Sequence, residues 1–215
     1  MTSTPLLQLS DISFERDDRL LFSAVNASVA AGDILQVSGD NGSGKTTLLK
    51  VIIGTLAPQS GDCLWRGTPV HQCALEYASE LLYIGHQPGI KSTLTPEENL
   101  CWLQRLSLAE KSSHTIADAL GKVGLVGYED VPCHSLSAGQ QRRVALARLY
   151  LSTVKLWILD EPFTAIDRQG VTQLEQCMQQ HVSEGGAVIL TTHQPLSIDG
   201  VKTLHLGAGH SKGEQ

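Results

Sequence analysis

Gly39-Asp40-Asn41-Gly42-Ser43-Gly44-Lys45-Thr46 sits between an apolar run, Ile34-Leu35-Gln36-Val37, and a stretch over residues 47–53 with Leu48, Leu49, Ile52 and Ile53 as its apolar positions. The run reads as a buried strand and the stretch as a helix, with Gly54 and Pro58 as stop signals. A strand that turns through glycines into a helix is the start of an α/β fold with a parallel sheet. The eight residues match G-x-x-x-x-G-K-[ST] without substitution. Glycines let successive N–H groups turn toward phosphate oxygens, and the helix N-terminus adds partial positive charge. In that chemistry Lys45 reaches the β- and γ-phosphates and the Thr46 hydroxyl binds Mg²⁺. The candidate nucleotide-binding set is Gly39, Asp40, Asn41, Gly42, Ser43, Gly44, Lys45, Thr46 and Thr47. A glycine turn that merely precedes a helix is the alternative, and the complete motif in its proper context disfavours it.

Two further apolar runs extend the sheet. Leu156-Trp157-Ile158-Leu159 ends in Asp160-Glu161, and Ala187-Val188-Ile189-Leu190 ends in Thr191-Thr192-His193. Short runs apolar on both faces suit parallel strands covered by helices, with chemistry at their carboxyl ends. Asp160 is placed to hold Mg²⁺ and Glu161 to orient and deprotonate an attacking water. Read alone, Asp160-Glu161-Pro162 is an acidic turn, and His193 and Gln87 are ordinary strand-end residues. Read with the phosphate loop, His193 can meet the γ-phosphate or the water, and Gln87 the Mg²⁺. Elsewhere, Leu7-Gln8-Leu9-Ser10 and Ala27-Ser28-Val29 alternate like half-exposed strands. Thr95-Pro96-Glu97-Glu98 is a capping box with proline at the first helical position. Ser137-Ala138-Gly139-Gln140 is a second box, opening a helix to about residue 151.

With 215 residues, the chain can form one core and a small lobe. Its net charge of -6 gives no basic bias, so nucleic acid is not an expected partner. No apolar run reaches the roughly 18 residues of a membrane span. The first five residues have no secretory pattern, so a cytosolic location is expected, with any membrane work done by docking. Five scattered cysteines lack C-x-x-C spacing, which predicts free thiols in a reducing compartment. No C-x-x-C-H pattern accompanies the eight histidines, and no haem site is expected in this chain.

Leu136-Ser137-Ala138-Gly139-Gln140 resembles the ABC signature LSGGQ, and other ABC elements match in order: Gln87 resembles the Q-loop glutamine, Thr164-Ala165-Ile166-Asp167 the D-loop, and His193 the switch histidine. The resemblance implies an α/β P-loop ABC-type ATPase with a parallel-sheet core, an antiparallel β-lobe and a helical lobe over about residues 88–151. It also implies a single ABC ATPase domain over residues 1–206, while the small, polar, glycine-containing stretch over 207–215 reads as a disordered tail. ATP is the implied substrate, with Mg²⁺ held by Thr46, Gln87 and Asp160 and catalysis assigned to Glu161, His193 and Gln87. It further implies a head-to-tail dimer of two copies, in which Ser137, Ala138, Gly139 and Gln140 meet the partner's ATP and Asp167 serves the D-loop. Where the family places an adenine-stacking aromatic, this chain has Arg16, whose planar guanidinium can stack on a base. Nearby Phe14 is better suited to a strand core.

Leu81-Leu82-Tyr83-Ile84-Gly85-His86-Gln87-Pro88-Gly89-Ile90-Lys91, the run over residues 136–171, Arg16-Asp17-Asp18-Arg19, Gly185-Gly186 and Thr191-Thr192-His193-Gln194-Pro195 narrow the likeness. They resemble the ATP-binding subunit of the bacterial cytochrome c maturation transporter, a family often called haem exporters. That likeness implies a peripheral subunit on the cytoplasmic face of the inner membrane, docked on integral-membrane subunits and powering haem export or haem-chaperone release. Residues 91–103 are the expected docking segment, and they also read as an ordinary amphipathic helix start. An ATPase of another exporter, for drugs or lipids, is the alternative. A soluble ABC ATPase of translation or repair ranks lower, because no fused second ATPase domain, coiled-coil insertion or basic patch is present.

Overall fold

The computed structural model describes residues 5–17, 19–107 and 112–207. Most of the expected tail, residues 208–215, therefore lies outside the described residues. In chain order the elements are β1 (Leu7–Arg16), β2 (Arg19–Val29), β3 (Ile34–Ser38), α1 (Lys45–Ile52), β4 (Ser60–Trp65), β5 (Thr68–Pro69), α2 (Ala74–Ser79) and β6 (Leu81–Ile84). They continue with α3 (Pro96–Leu106), α4 (Ile116–Lys122), α5 (Ala138–Tyr150), β7 (Leu156–Asp160), α6 (Arg168–Ser183), β8 (Ala187–Thr191) and β9 (Lys202–His205).

The strands form two sheets. One is antiparallel in the order β2-β1-β4-β5, and the other runs β6-β7-β8-β3-β9 with every pair parallel. Period-two alternation explains how the parallel sheet is covered on both faces. On β7, Leu156 and Ile158 join the core shared with the antiparallel lobe, while Trp157 and Leu159 face the core shared with α3, α4 and α5. On β8, Ala187 and Ile189 face the first core, and Val188 and Leu190 the second. The parallel core, antiparallel lobe and helical lobe expected from the sequence are thus all present. The alternating fragments at Leu7 and Ala27 are parts of two long paired strands, in register at Leu7 with Val29 and Leu9 with Ala27.

Helix α1 begins at Lys45, two residues before the stretch read from its apolar positions. Gly44, in the left-handed region at φ 93°, turns the chain directly into the helix. Leu48, Leu49 and Ile52 are fully buried beneath the loop, each contributing about 2 kcal/mol of apolar burial. Both capping boxes form as read: the Thr95 hydroxyl accepts from Glu98 N–H at the start of α3, and the Ser137 hydroxyl from Gln140 N–H at the start of α5. Among the described residues, no helix is long and apolar enough to cross a membrane.

Candidate nucleotide site

Sheet order decides the geometry of the site. Strand β8 lies between β3, which delivers the glycine loop, and β7, which delivers the acidic pair. The last residue of β8, Thr191, is the register partner of Val37 on one side and Asp160 on the other. Its hydroxyl donates to Asp160 Oδ1 at 2.7 Å and accepts from Glu161 N–H at 2.9 Å. The other carboxylate oxygen, Asp160 Oδ2, accepts from the Thr46 hydroxyl at 2.9 Å. Asp160 is therefore fixed between the first turn of α1 and the end of β8, and it is 1% exposed.

A cleft of about 570 Å³ opens above these strand ends. It brings together Arg16, Asn41, Gly42, Gly44, Lys45, Thr46, Thr47, Asp160, Glu161 and His193, along with Leu21, His86 and Thr164. Lys45 is buried, and its ammonium donates to Gly39 O at 2.7 Å and Asp40 O at 3.0 Å, drawn back over the loop. Glu161 adopts φ 49°, a strained conformation for a side chain with a Cβ. Its Oε1 lies 3.5 Å from His193 Nε2 and has no hydrogen-bond partner among the described residues. Arg16 is exposed and pairs with Asp17 at 3.6 Å. Phe14 packs toward Phe22 in the antiparallel lobe, with ring centroids 6.1 Å apart.

Several predicted residues lie elsewhere. Gln87 is exposed and does not line the cleft, where its neighbour His86 stands instead. Ser137, Ala138, Gly139 and Gln140 form the N-terminal tip of α5 and are also absent from the lining. Asp167 caps α6, accepting from Gly170 N–H at 2.8 Å, and pairs with Arg143 at 2.6 Å. The Gly170 N–H and the Arg143 guanidinium both hold the Asp167 carboxyl below its ordinary range. Gly139 is required by its neighbour: a Cβ there would stand 2.6 Å from the Ala165 carbonyl oxygen.

A model of the ABC transporter family matches residues 22–164. Cytochrome c biogenesis ATP-binding export proteins CcmA match at higher similarity. The protein of Pseudomonas fluorescens (strain Pf0-1) is 57% identical over 198 residues, covering 92% of each chain. That of Escherichia coli (strain K12) is 51% identical over 193 residues, covering 90% of this chain and 91% of its own. The chain belongs to the ABC transporter family, in the branch formed by these CcmA proteins. Two solved structures share the fold. An ATP-binding subunit of an ABC transporter superposes at TM-score 0.82 with 23% identity, covering 95% of this chain and 87% of its own. A putative ABC transporter ATP-binding protein from Pyrococcus furiosus gives 0.80 with 26% identity, covering 93% and 96%. Membership makes this chain an ATP-hydrolysing transporter subunit.

Two residues of this ABC ATPase site did not emerge from the motifs. Thr191 bridges the acidic pair, as described. Arg142, on α5, is 3% exposed and donates to backbone carbonyls of both Asp160, at 3.0 Å, and Glu161, at 2.9 Å. The signal for each was a polar residue on an otherwise apolar period. Arg142 falls on the stripe of Ala145, Leu146 and Leu149, and Thr191 ends a strand buried at every position.

Proposed function

We propose that this chain is the ATP-hydrolysing subunit of a transporter in c-type cytochrome biogenesis, powering haem export or haem-chaperone release. The observation that carries the reading is the convergence of Lys45, Thr46, Asp160, Glu161 and His193 on one cleft at the carboxyl ends of three adjacent parallel strands. The glycine loop and Lys45 bind the phosphates of ATP. Thr46 and Asp160 offer hard oxygen donors 2.9 Å apart, a set suited to Mg²⁺. When bound, that ion would neutralise negative charge on the triphosphate. Glu161 takes the proton of the attacking water, and His193, beside its carboxylate, orients the water and the γ-phosphate. Arg16, on the cleft wall, stacks on the base.

The tip of α5 stands outside its own cleft, which supports an arrangement of two half-sites. Ser137, Ala138, Gly139 and Gln140 then meet ATP held by a second copy, as a capped helix N-terminus suits an anion. Gln87, on the segment after β6, would be a further oxygen donor for Mg²⁺ and for the water. The domain is single over residues 1–206, with its helical lobe over about residues 88–151. The chain docks peripherally on integral-membrane subunits at the cytoplasmic face of the inner membrane, with residues 91–103 as the docking segment.

The test is E161Q. Removing the base lowers turnover by roughly 10²-fold or more while ATP still binds. ATP-loaded dimers then accumulate and are measured by size-exclusion chromatography with nucleotide quantification. Wild-type turnover in E161Q, or no paired form with trapped ATP, removes this reading.

A further inference from the structure

Arg142 makes contacts that no motif accounts for. Beyond the carbonyls of Asp160 and Glu161, its Nη1 donates to Gly85 O at 2.6 Å and to His86 O at 3.4 Å. One buried guanidinium therefore serves four carbonyls on two separate segments: the end of β6 leading to Gln87, and the end of β7 carrying the metal carboxylate and the base. Burial lowers the Arg142 pKa, while Asp160 and Glu161 favour its charged form. A planar fork with fixed donors holds several acceptors in register in a way a single ammonium does not.

The helix that carries Arg142 makes this more than local bracing. Helix α5 opens at Ser137, so Arg142 sits just over one turn inside the tip assigned above to the partner's ATP. The next residue, Arg143, holds Asp167, and Gly139 lies against the Ala165 carbonyl. Ala165 has φ 62° and Glu161 φ 49°, so the segment between the two residues starts and ends in strained backbone. The Glu161 conformation is held by Thr191 on its N–H and Arg142 on its carbonyl.

We propose that Arg142 is a positioning residue that couples the two ATP sites of the dimer. It clamps the backbone of Asp160 and Glu161 to the helix whose tip caps the partner's nucleotide. A shift of α5 on docking that nucleotide is passed through the guanidinium to the carboxylates of its own site. The proposal rests on the two-half-site reading above.

The test uses full-length R142M and R142K with their membrane subunits, measuring ATP affinity, ATPase kcat and KM, and the Hill coefficient for ATP. Neither variant touches the phosphate loop, so ATP affinity is expected to stay within about twofold of wild type. In R142M, misplacement of the carboxylates lowers kcat by about 10- to 100-fold, and the Hill coefficient falls toward one. R142K keeps the charge but not the fork, and recovers only part of kcat. If R142M fails to fold, R142K carries the test. Wild-type kcat and Hill coefficient in the folded variant overturn the proposal. An accompanying E161Q control separates the two levels of failure. ATP-trapped E161Q dimers alongside an unaffected Arg142 variant refute the coupling alone, whereas no trapped dimer refutes the two-half-site reading beneath it.

Discussion

Replacing Thr191 by valine removes one oxygen and keeps the branched shape. In the folded chain that oxygen donates to Asp160 Oδ1 at 2.7 Å and accepts from Glu161 N–H at 2.9 Å, inside a fully buried strand end. A hydrogen bond to a carboxylate contributes about 1.5–3 kcal/mol net. The orphaned Glu161 N–H then leaves a residue at φ 49° without one of the two bonds that hold it. If about 2 kcal/mol of that loss falls on the transition state, turnover drops roughly 30-fold at 1.36 kcal/mol per decade. The phosphate loop keeps its own contacts, so ATP binding changes little. The loss therefore appears in kcat, and also in a higher Mg²⁺ concentration for half-maximal rate, because Asp160 is freed on one side. T191S restores the hydroxyl and is expected near wild type. Steady-state ATPase titrations against ATP and Mg²⁺ on all three proteins provide the measurement. Equal kcat and Mg²⁺ dependence in T191V and wild type refute the bridging role.

Two stability predictions come from outside the cleft. His181 is stacked on Trp157, with ring centroids 3.8 Å apart, and burial lowers its pKa from 6.5 to about 4. The folded chain favours the neutral ring, so unfolding takes up a proton in this window, and stability present above pH 6.5 is lost as pH falls toward 4. Allowing for partial exposure, the loss is roughly 2 kcal/mol, and chemical denaturation of wild type against H181F is expected to show the difference shrinking at high pH. Asn99 is fully buried, accepts from Lys91 N–H at 2.7 Å and donates to Lys91 O and Thr95 O at 3.0 Å each. N99L strands those groups at a cost of about 2–3 kcal/mol, lowering Tm by about 5–10 °C in thermal melts, whereas an unchanged Tm contradicts the role assigned to this side chain.

The parts of this protein legible in the sequence are those built from contiguous residues. The glycine loop carries its own geometry, because eight consecutive positions determine where the N–H groups point. The strands β7 and β8 were legible because burial on both faces demands an unbroken apolar run. Both capping boxes were legible because their hydrogen bonds close within four residues. Where Gln87 stands was not. Its placement depends on a loop whose backbone is held from Arg142, 55 residues further along the chain, and an isolated glutamine carries no trace of that contact. The first turn of α1 was missed for a related reason: Lys45 and Thr46 have no apolar period, and the helix begins where Gly44 permits the turn.

Arg142, Thr191 and Asn99 share a property that sequence does expose. Each is a polar residue on a helix stripe or strand that is otherwise apolar. Burying such a group without partners costs more than any packing it supplies, so it persists only where backbone or carboxylate groups from another segment meet it. In all three cases the partners belong to a segment that the proposed function requires to be held: the acidic pair for Thr191, the acidic pair and the approach to Gln87 for Arg142, and the start of the docking segment for Asn99. A polar break in an apolar period therefore marks the second layer of this ATPase, the residues that hold the motifs rather than form them. The idea extends to Glu175 on α6, 7% exposed, whose carboxylate accepts from Ser197 N–H at 2.7 Å in the loop after His193. That bond ties α6, capped by Asp167, to the segment that follows His193.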